Sequence, residues 1–303
     1  MSGLVVHRFG PSQDRGHASP DVVPVLTIHG VMGHGARFGP LAATAFPDRR
    51  VLAPDLRGHG GSTWDPPWDA ATHVADLVAV LDEAGVERAD VVGHSFGGLL
   101  ATHLAVTAPD RVRRVVLLDP AIGVDAARIR DEAELIRLDD GWPTFDAALA
   151  ARLADRPPQA IELVRADVKA HLAQGDDGRF RLRFSRSAVI VGWSEIARPP
   201  ASLRDFPGEV LLVIAESGTY VAPALRRGLA TDLGPRFVER TVAAGHMIWW
   251  DALTDTAVVV GAFLDGRDVP LLAPRADDET LERMLRVGAL SNRTALGEPT
   301  APH

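Results

Sequence analysis

The chain has 303 residues, 46% of them apolar and 24% charged, an ordinary globular balance with enough length to bury a substantial core. Forty acidic side chains against 32 basic ones give a net charge of −8, which repels phosphate backbones and argues against a nucleic-acid partner. The absence of cysteine removes disulfides, thiolate metal sites and cysteine nucleophiles together, so any covalent chemistry falls to oxygen or nitrogen.

From Val22 to Asp119 short β-branched runs alternate with longer helical patterns, which predicts βαβ units and a mainly parallel sheet. The run from Val23 to Ile28 ends at His29-Gly30, the run from Arg49 to Asp55 in a glycine-rich turn, and the run from Ala89 to Gly93 at a serine. Between Asp69 and Ala84 the residues Val74, Leu77, Val78 and Leu81 recur at three and four positions and form a helical stripe that packs on a sheet. Leu99 to Ala108 repeats the pattern, and Arg113 to Asp119 reads as another buried strand. Then follow about eighty residues of charged, helical, proline-punctuated sequence. They predict an insertion with helices near Asp125–Leu138, Asp146–Ala154 and Gln159–Leu172 and a strand near Arg179–Phe184. After Pro199-Pro200 the sheet rhythm resumes with strands at Glu209–Glu216 and Arg236–Val242 and helices at Ala222–Thr231 and Asp255–Leu264. Residues 269–303 read as a C-terminal extension, with an amphipathic segment at Glu279–Val287 and a polar, partly disordered tail.

Gly93-His94-Ser95-Phe96-Gly97 has the pattern G-x-S-x-G and lies between a predicted strand and a predicted helix. In that context a sharp elbow holds the serine in a strained conformation above the sheet, with glycines on either side because larger side chains would collide. A serine hydroxyl is a poor nucleophile at neutral pH and requires a base, itself oriented by a third group. In the elbow arrangement the chain order is serine, acid, histidine, which restricts the base to His103, His171, His246 or His303. His103 lies along a helix, His171 in the insertion and His303 at the terminus. His246 follows the last predicted strand, at the same sheet edge as Ser95. His29, His34 and His59 lack the helical spacing of metal ligands, and no metal or other cofactor is expected.

Five motifs together resemble a cap-bearing branch of the α/β-hydrolase superfamily, of serine esterase or lactonase type, over residues 3–265. They are His29-Gly30, Pro54 to Ser62 (PDLRGHGGS), Gly93 to Gly98 (GHSFGG), Leu117 to Pro120 (LLDP) and Ala244 to His246 (AGH). The resemblance implies an α/β-hydrolase fold with a mainly parallel eight-stranded sheet flanked by helices and a mostly helical cap inserted after the sixth strand. The core would comprise residues 1–120 and 201–268 and the cap residues 121–200. The superfamily's common pattern places an aspartate soon after the strand at Glu209–Ala215, but here Gly218 occupies that position. Two acids remain: Asp119, at the tip of the preceding core strand as in haloalkane dehalogenases and some lactonase-like relatives, and Glu216, at the end of the next strand. Asp119 is the preferred triad acid. The resemblance also implies an oxyanion hole from the backbone N–H groups of Phe96 and Val31, with Met32 as the alternative to Val31.

Trp142, Trp193 and Trp249 are candidate walls of a pocket for an apolar or aromatic ester or lactone, with core packing as the competing role. The expected activity is hydrolysis of such a substrate through an acyl-enzyme. Alternatives are hydrolysis of a carbon–carbon bond in a β-diketone and a weakly catalytic small-molecule receptor on the same fold. A homodimer is compatible with the sequence. Residues 1–20 lack a signal-peptide pattern and no run reaches the ~18 apolar residues of a spanning helix, so the expectation is a cytoplasmic protein that does not engage membranes.

Overall fold

A computed structural model describes residues 2–11, 22–154 and 156–272. The chain begins with β1 (Val6–Phe9), β2 (Val25–Ile28), helix α1 (Gly39–Ala45), β3 (Val51–Pro54), α2 (Ala70–Glu83), β4 (Ala89–His94), α3 (Phe96–Thr107) and β5 (Val112–Leu118). Next come α4 (Ala126–Leu138), α5 (Phe145–Leu153), α6 (Ile161–His171), β6 (Leu172–Gln174), β7 (Phe180–Leu182) and α7 (Arg186–Ile196). The last elements are β8 (Glu209–Ala215), α8 (Pro223–Leu233), β9 (Phe237–Val242), α9 (Ile248–Asp251) and α10 (Leu253–Leu264).

Seven of these strands form one sheet in the order β1-β3-β2-β4-β5-β8-β9, parallel throughout except for β1 against β3. Strands β2, β3 and β4 are buried at every position, as continuous apolar runs covered on both faces must be. One face carries the apolar sides of α2, α3 and α8 through Leu77, Leu100 and Leu229. The other carries α1 and α10 through Leu41, Val260 and Phe263. Helix α2 starts where Asp69 accepts a hydrogen bond from the Thr72 N–H at 2.9 Å, satisfying an otherwise orphaned donor.

The resemblance implies eight strands, whereas the described residues form seven, and the helical insertion therefore follows the fifth sheet strand rather than the sixth. β1 itself lies outside the sequence expectations, because VHRF is four residues of mixed polarity. In the insertion α4, α5, α6 and β7 fall where the sequence predicts them, and β7 pairs antiparallel with β6. Helix α7 has no counterpart in the sequence expectations. Its Val189-Ile190-Val191 run is as compatible with a strand as with a helix, and the Ser185 hydroxyl that accepts from the Ala188 N–H at 3.4 Å marks the helical start. The amphipathic segment expected at Glu279–Val287 lies outside the described residues.

Candidate active site

The connection out of β2 runs to β3 on one side while β4 lies on the other, so β2 and β4 flank the point where strand order reverses. In such sheets the crevice beyond the carboxyl ends of the strands at the reversal is where ligands bind. Register then brings the sequence motifs together. Ile28 pairs with Gly93, so His29-Gly30-Val31 leaves the sheet beside His94-Ser95. His94 pairs with Leu118, so Ser95 faces Asp119 on the next strand, and Leu118 pairs with Val213, which carries Asp119 alongside the end of β8.

Ser95 closes β4 and opens α3 at φ 54° and ψ −119°, a conformation rarely adopted by a residue with a side chain. A Cβ at Gly93 would overlap the Gly97 carbonyl, one at Gly97 the Ile28 carbonyl, and one at Gly98 would lie 2.6 Å from the Pro120 side chain. The glycines of the motif are therefore required by backbone crossing backbone, as the elbow reading expects. A Cβ at Gly30 would stand 3.1 Å from the Ser95 Cβ, which places the β2 loop directly against the serine.

Asp119 is fully buried at φ 40°. Its Oδ1 accepts from the Ala215 N–H at 3.1 Å and its Oδ2 from the Nδ1–H of His246 at 2.6 Å. With Nδ1 committed as donor, a neutral His246 ring keeps a lone pair on Nε2, and its side chain remains 30% exposed. Glu216 is exposed; its backbone N–H bonds the Val242 carbonyl, and its side chain is not part of the cavity at Ser95. A Cβ at Gly218 would lie 2.7 Å from Asp119 Oδ1 and 2.8 Å from Oδ2. The position that commonly carries the acid thus adjoins the carboxylate that Asp119 supplies from the neighbouring strand.

Buried histidines brace the loops around Ser95. His29 donates from Nδ1 to the Gly30 carbonyl at 2.8 Å and accepts at Nε2 from the Leu56 N–H at 2.9 Å, while His59 donates from Nε2 to the Val31 carbonyl at 2.6 Å. His94 donates from Nε2 to the His246 carbonyl at 2.9 Å, and its ring centroid lies 4.7 Å from that of His246. Burial pushes the pKa of all three below the ordinary histidine value, furthest at His29 and His94; the charge of His246 adds to this at His94 and that of His59 at His29. The sequence does not single out His94 as a support for His246, because the contact joins residues 152 positions apart.

Val31, Met32, Ser95 and His246 line one cavity of about 300 Å³ under the insertion. Leu135, Ile136, Trp142, Leu182, Phe184 and Trp193 form apolar wall; Arg37, Arg152 and Arg156 make another part basic, with Asp251 near them, and Arg128 is paired with Glu132. Trp142 and Trp193 are where a pocket role requires them. Trp249 is not: it stacks on Phe38 with ring centroids 4.9 Å apart, meets His94 edge-on and donates from Nε1 to the Arg37 carbonyl at 3.1 Å, so its role is core packing. Tyr220, the chain's single tyrosine, takes a wall position unanticipated from sequence, 4.4 Å from the His246 ring. The lining arginines were also missed, since nothing distinguishes them in sequence from solvated helix-face charges.

This is the architecture of a hydrolase of the α/β type. The chain matches the alpha/beta hydrolase fold family over residues 23–253 and belongs to it. It is 36% identical to "Lipase LipV" of Mycobacterium tuberculosis over 273 residues, 87% of this chain and 98% of that protein. It is 40% identical to a 2-hydroxymuconate semialdehyde hydrolase of a Pseudomonas strain over 85% of this chain and 92% of that one. Among solved structures, E-2-(acetamidomethylene)succinate hydrolase superposes with a TM-score of 0.75 at 23% identity, over 86% of this chain and 95% of that one. Among the described residues no helix is long and apolar enough to cross a membrane.

Proposed function

We propose that this hydrolase cleaves a carboxylic ester or lactone through an acyl-enzyme, with Ser95 as nucleophile, His246 as base and Asp119 as the acid that orients it. The observation that carries this is the 2.6 Å contact from His246 Nδ1 to the buried Asp119 Oδ2, beside a cavity that Ser95 also lines. Ser95 Oγ bonds the carbonyl carbon as its proton passes to His246 Nε2, and the Asp119 carboxylate stabilises the imidazolium. The backbone N–H groups of Phe96 and Val31, with Met32 as the alternative second donor, hold the oxyanion. Collapse expels the alcohol, which takes the proton from His246. Water then attacks the acyl-serine by the same route in reverse. In this reading residues 1–120 and 201–268 are the catalytic core and 121–200 the cap that supplies nearly half of the residues lining the pocket, Trp142 and Trp193 included.

The identity to proteins named 2-hydroxymuconate semialdehyde hydrolase favours one second reading, hydrolysis of a carbon–carbon bond next to a carbonyl on the same three residues. The deciding experiment compares wild type, Ser95→Ala, Asp119→Asn and Glu216→Gln on nitrophenyl esters, aryl lactones and a β-diketone. Ser95→Ala is expected to abolish turnover, Asp119→Asn to lower kcat about 10³- to 10⁴-fold, and Glu216→Gln to stay within about threefold of wild type. Turnover of the diketone alone moves the assignment to the second reading, and wild-type activity in Ser95→Ala ends both.

A further inference from the structure

The cavity is basic where α5 and the loop after it face the loop that follows β2. Three guanidiniums meet there, and their partners are unequal. Arg37 is committed to Asp167, donating from Nε to Oδ1 at 2.6 Å and from Nη2 to Oδ2 at 3.0 Å, while His34 also donates to Oδ1 at 2.8 Å. Arg156 lies 5.8 Å from the Trp250 ring centroid and feels the charge of Asp251. Asp251 accepts the Gly245 N–H on Oδ2 at 2.8 Å, and its Oδ1 is buried without a partner.

Arg152, on the last turn of α5, is different. Its Nε is buried with no hydrogen-bond partner, and no carboxylate among the described residues pairs with it. Burial, then the charges of Arg37 and Arg156, bring its pKa down to about 10, so it stays cationic at neutral pH. Arg152 thus lies beside Arg37 and Arg156 in a partly dehydrated wall with no carboxylate of its own among the described residues, inside a protein whose net charge is −8. Holding an unmatched charge out of water is costly unless an anion completes the site.

We propose that the substrate carries a carboxylate remote from the scissile carbonyl and that Arg152, with Arg156 beside it, binds that carboxylate and sets specificity. This rests on the ester-hydrolase reading and narrows it to anionic esters. A guanidinium presents its donors in a planar fork matched to two carboxylate oxygens, so the contact would fix orientation as well as charge. The apolar wall of Leu135, Trp142 and Trp193 would hold the chain between the two ends.

The test uses two matched pairs. One is 4-nitrophenyl hydrogen adipate against 4-nitrophenyl 6-methylheptanoate, whose isopropyl end has the carboxylate's shape without its charge. The other is 4-acetoxybenzoate against 4-isopropylphenyl acetate, which moves the charge to the leaving group. The readout is the charged-to-neutral ratio of kcat/KM, compared between enzymes so that intrinsic reactivity cancels. In at least one pair the ratio should fall about 10- to 100-fold in Arg152→Met and by a smaller factor in Arg152→Lys, which keeps the charge but not the planar fork. An Arg152→Met ratio within about threefold of wild type in both pairs overturns the proposal and leaves ester hydrolysis standing, with the charge of Arg152 then balanced by Asp167. If wild type hydrolyses none of these esters, ester hydrolysis fails, and calorimetry with monomethyl adipate decides the anion site. Binding that weakens at least tenfold in Arg152→Met supports the site, whereas equal binding or none overturns it. Circular dichroism checks folding, with Arg152→Gln as the replacement should the methionine variant not fold.

Discussion

Ser95 and Asp119 are the two described non-glycine residues with positive φ, at 54° and 40°, and both sit at the C-terminal tips of adjacent strands. Such conformations cost about 1–3 kcal/mol each and persist only where the surroundings over-determine them. Here the strands β4 and β5 do so, and the result is a serine aimed into the cavity and a carboxylate turned toward His246. Because the Gly218 Cβ position lies 2.7 Å from Asp119 Oδ1, the same carboxylate site can be reached from either strand. The double variant Asp119→Gly, Gly218→Asp moves the acid to the β8 loop and gives the positive φ at 119 to a glycine, which tolerates it. Its kcat on a nitrophenyl ester should exceed that of Asp119→Gly alone by at least about tenfold, as expected when a missing orienting acid is restored. No recovery would mean that Asp119 acts through more than the position of its carboxylate.

At the scale of elements, the insertion does more than cover the site. Gly192 of α7 approaches the loop after β2 so closely that a Cβ there would lie 2.8 Å from Val31 Cγ2. The same Val31 carries a carbonyl held by His59 and, in the proposed mechanism, an oxyanion donor. Helix α7 and the loop are therefore in register to within a methyl group. Gly192→Ala should lower kcat by about tenfold or more through displacement of the donor, since a misplacement near 1 Å can cost about a hundredfold. Val31→Ala in the same chain should restore most of the loss by removing the colliding methyl group. If Gly192→Ala is as active as wild type, α7 does not set the loop's position. Little of this was legible in sequence: the apolar run of α7 fits two periodicities, and the contact joins residues 161 positions apart.

Across the whole molecule, His29, His34, His59, His73, His94 and His171 are buried, and burial is the largest cause holding each below the ordinary histidine pKa, His73 down to about 3. The unfolded chain takes up these protons below about pH 6.5 while the folded chain resists. Their stabilisation is therefore complete above that pH and declines as pH falls, by about 1.4 kcal/mol per unit for each histidine. Asp90, Glu132 and Asp251, raised by burial, act in the opposite sense nearer pH 4, but they are three against six. Total stabilities of about 5–15 kcal/mol would be consumed within two or three units. Acid unfolding followed by circular dichroism should show its midpoint above about pH 4, and the melting temperature should already be lower at pH 5.5 than at pH 7.5. A melting temperature unchanged down to pH 4.5 would contradict the burial of neutral histidines.

The sequence by itself determined the parallel core and the elbow at Ser95, because buried strands need continuous apolar runs and tight backbone crossings admit only glycine, and both leave local patterns. It also isolated His246, since chain order and strand position exclude the other histidines. Tertiary structure decided what depends on register between distant segments. It brings Asp119, not Glu216, to the His246 ring, uses Trp249 as packing beneath His94 rather than as pocket wall, and gathers Arg37, Arg152 and Arg156 from two parts of the chain around one cavity. A charge or an aromatic ring has the same local signature on a solvated face, in a core or in a binding wall. Only the neighbours supplied by folding distinguish them.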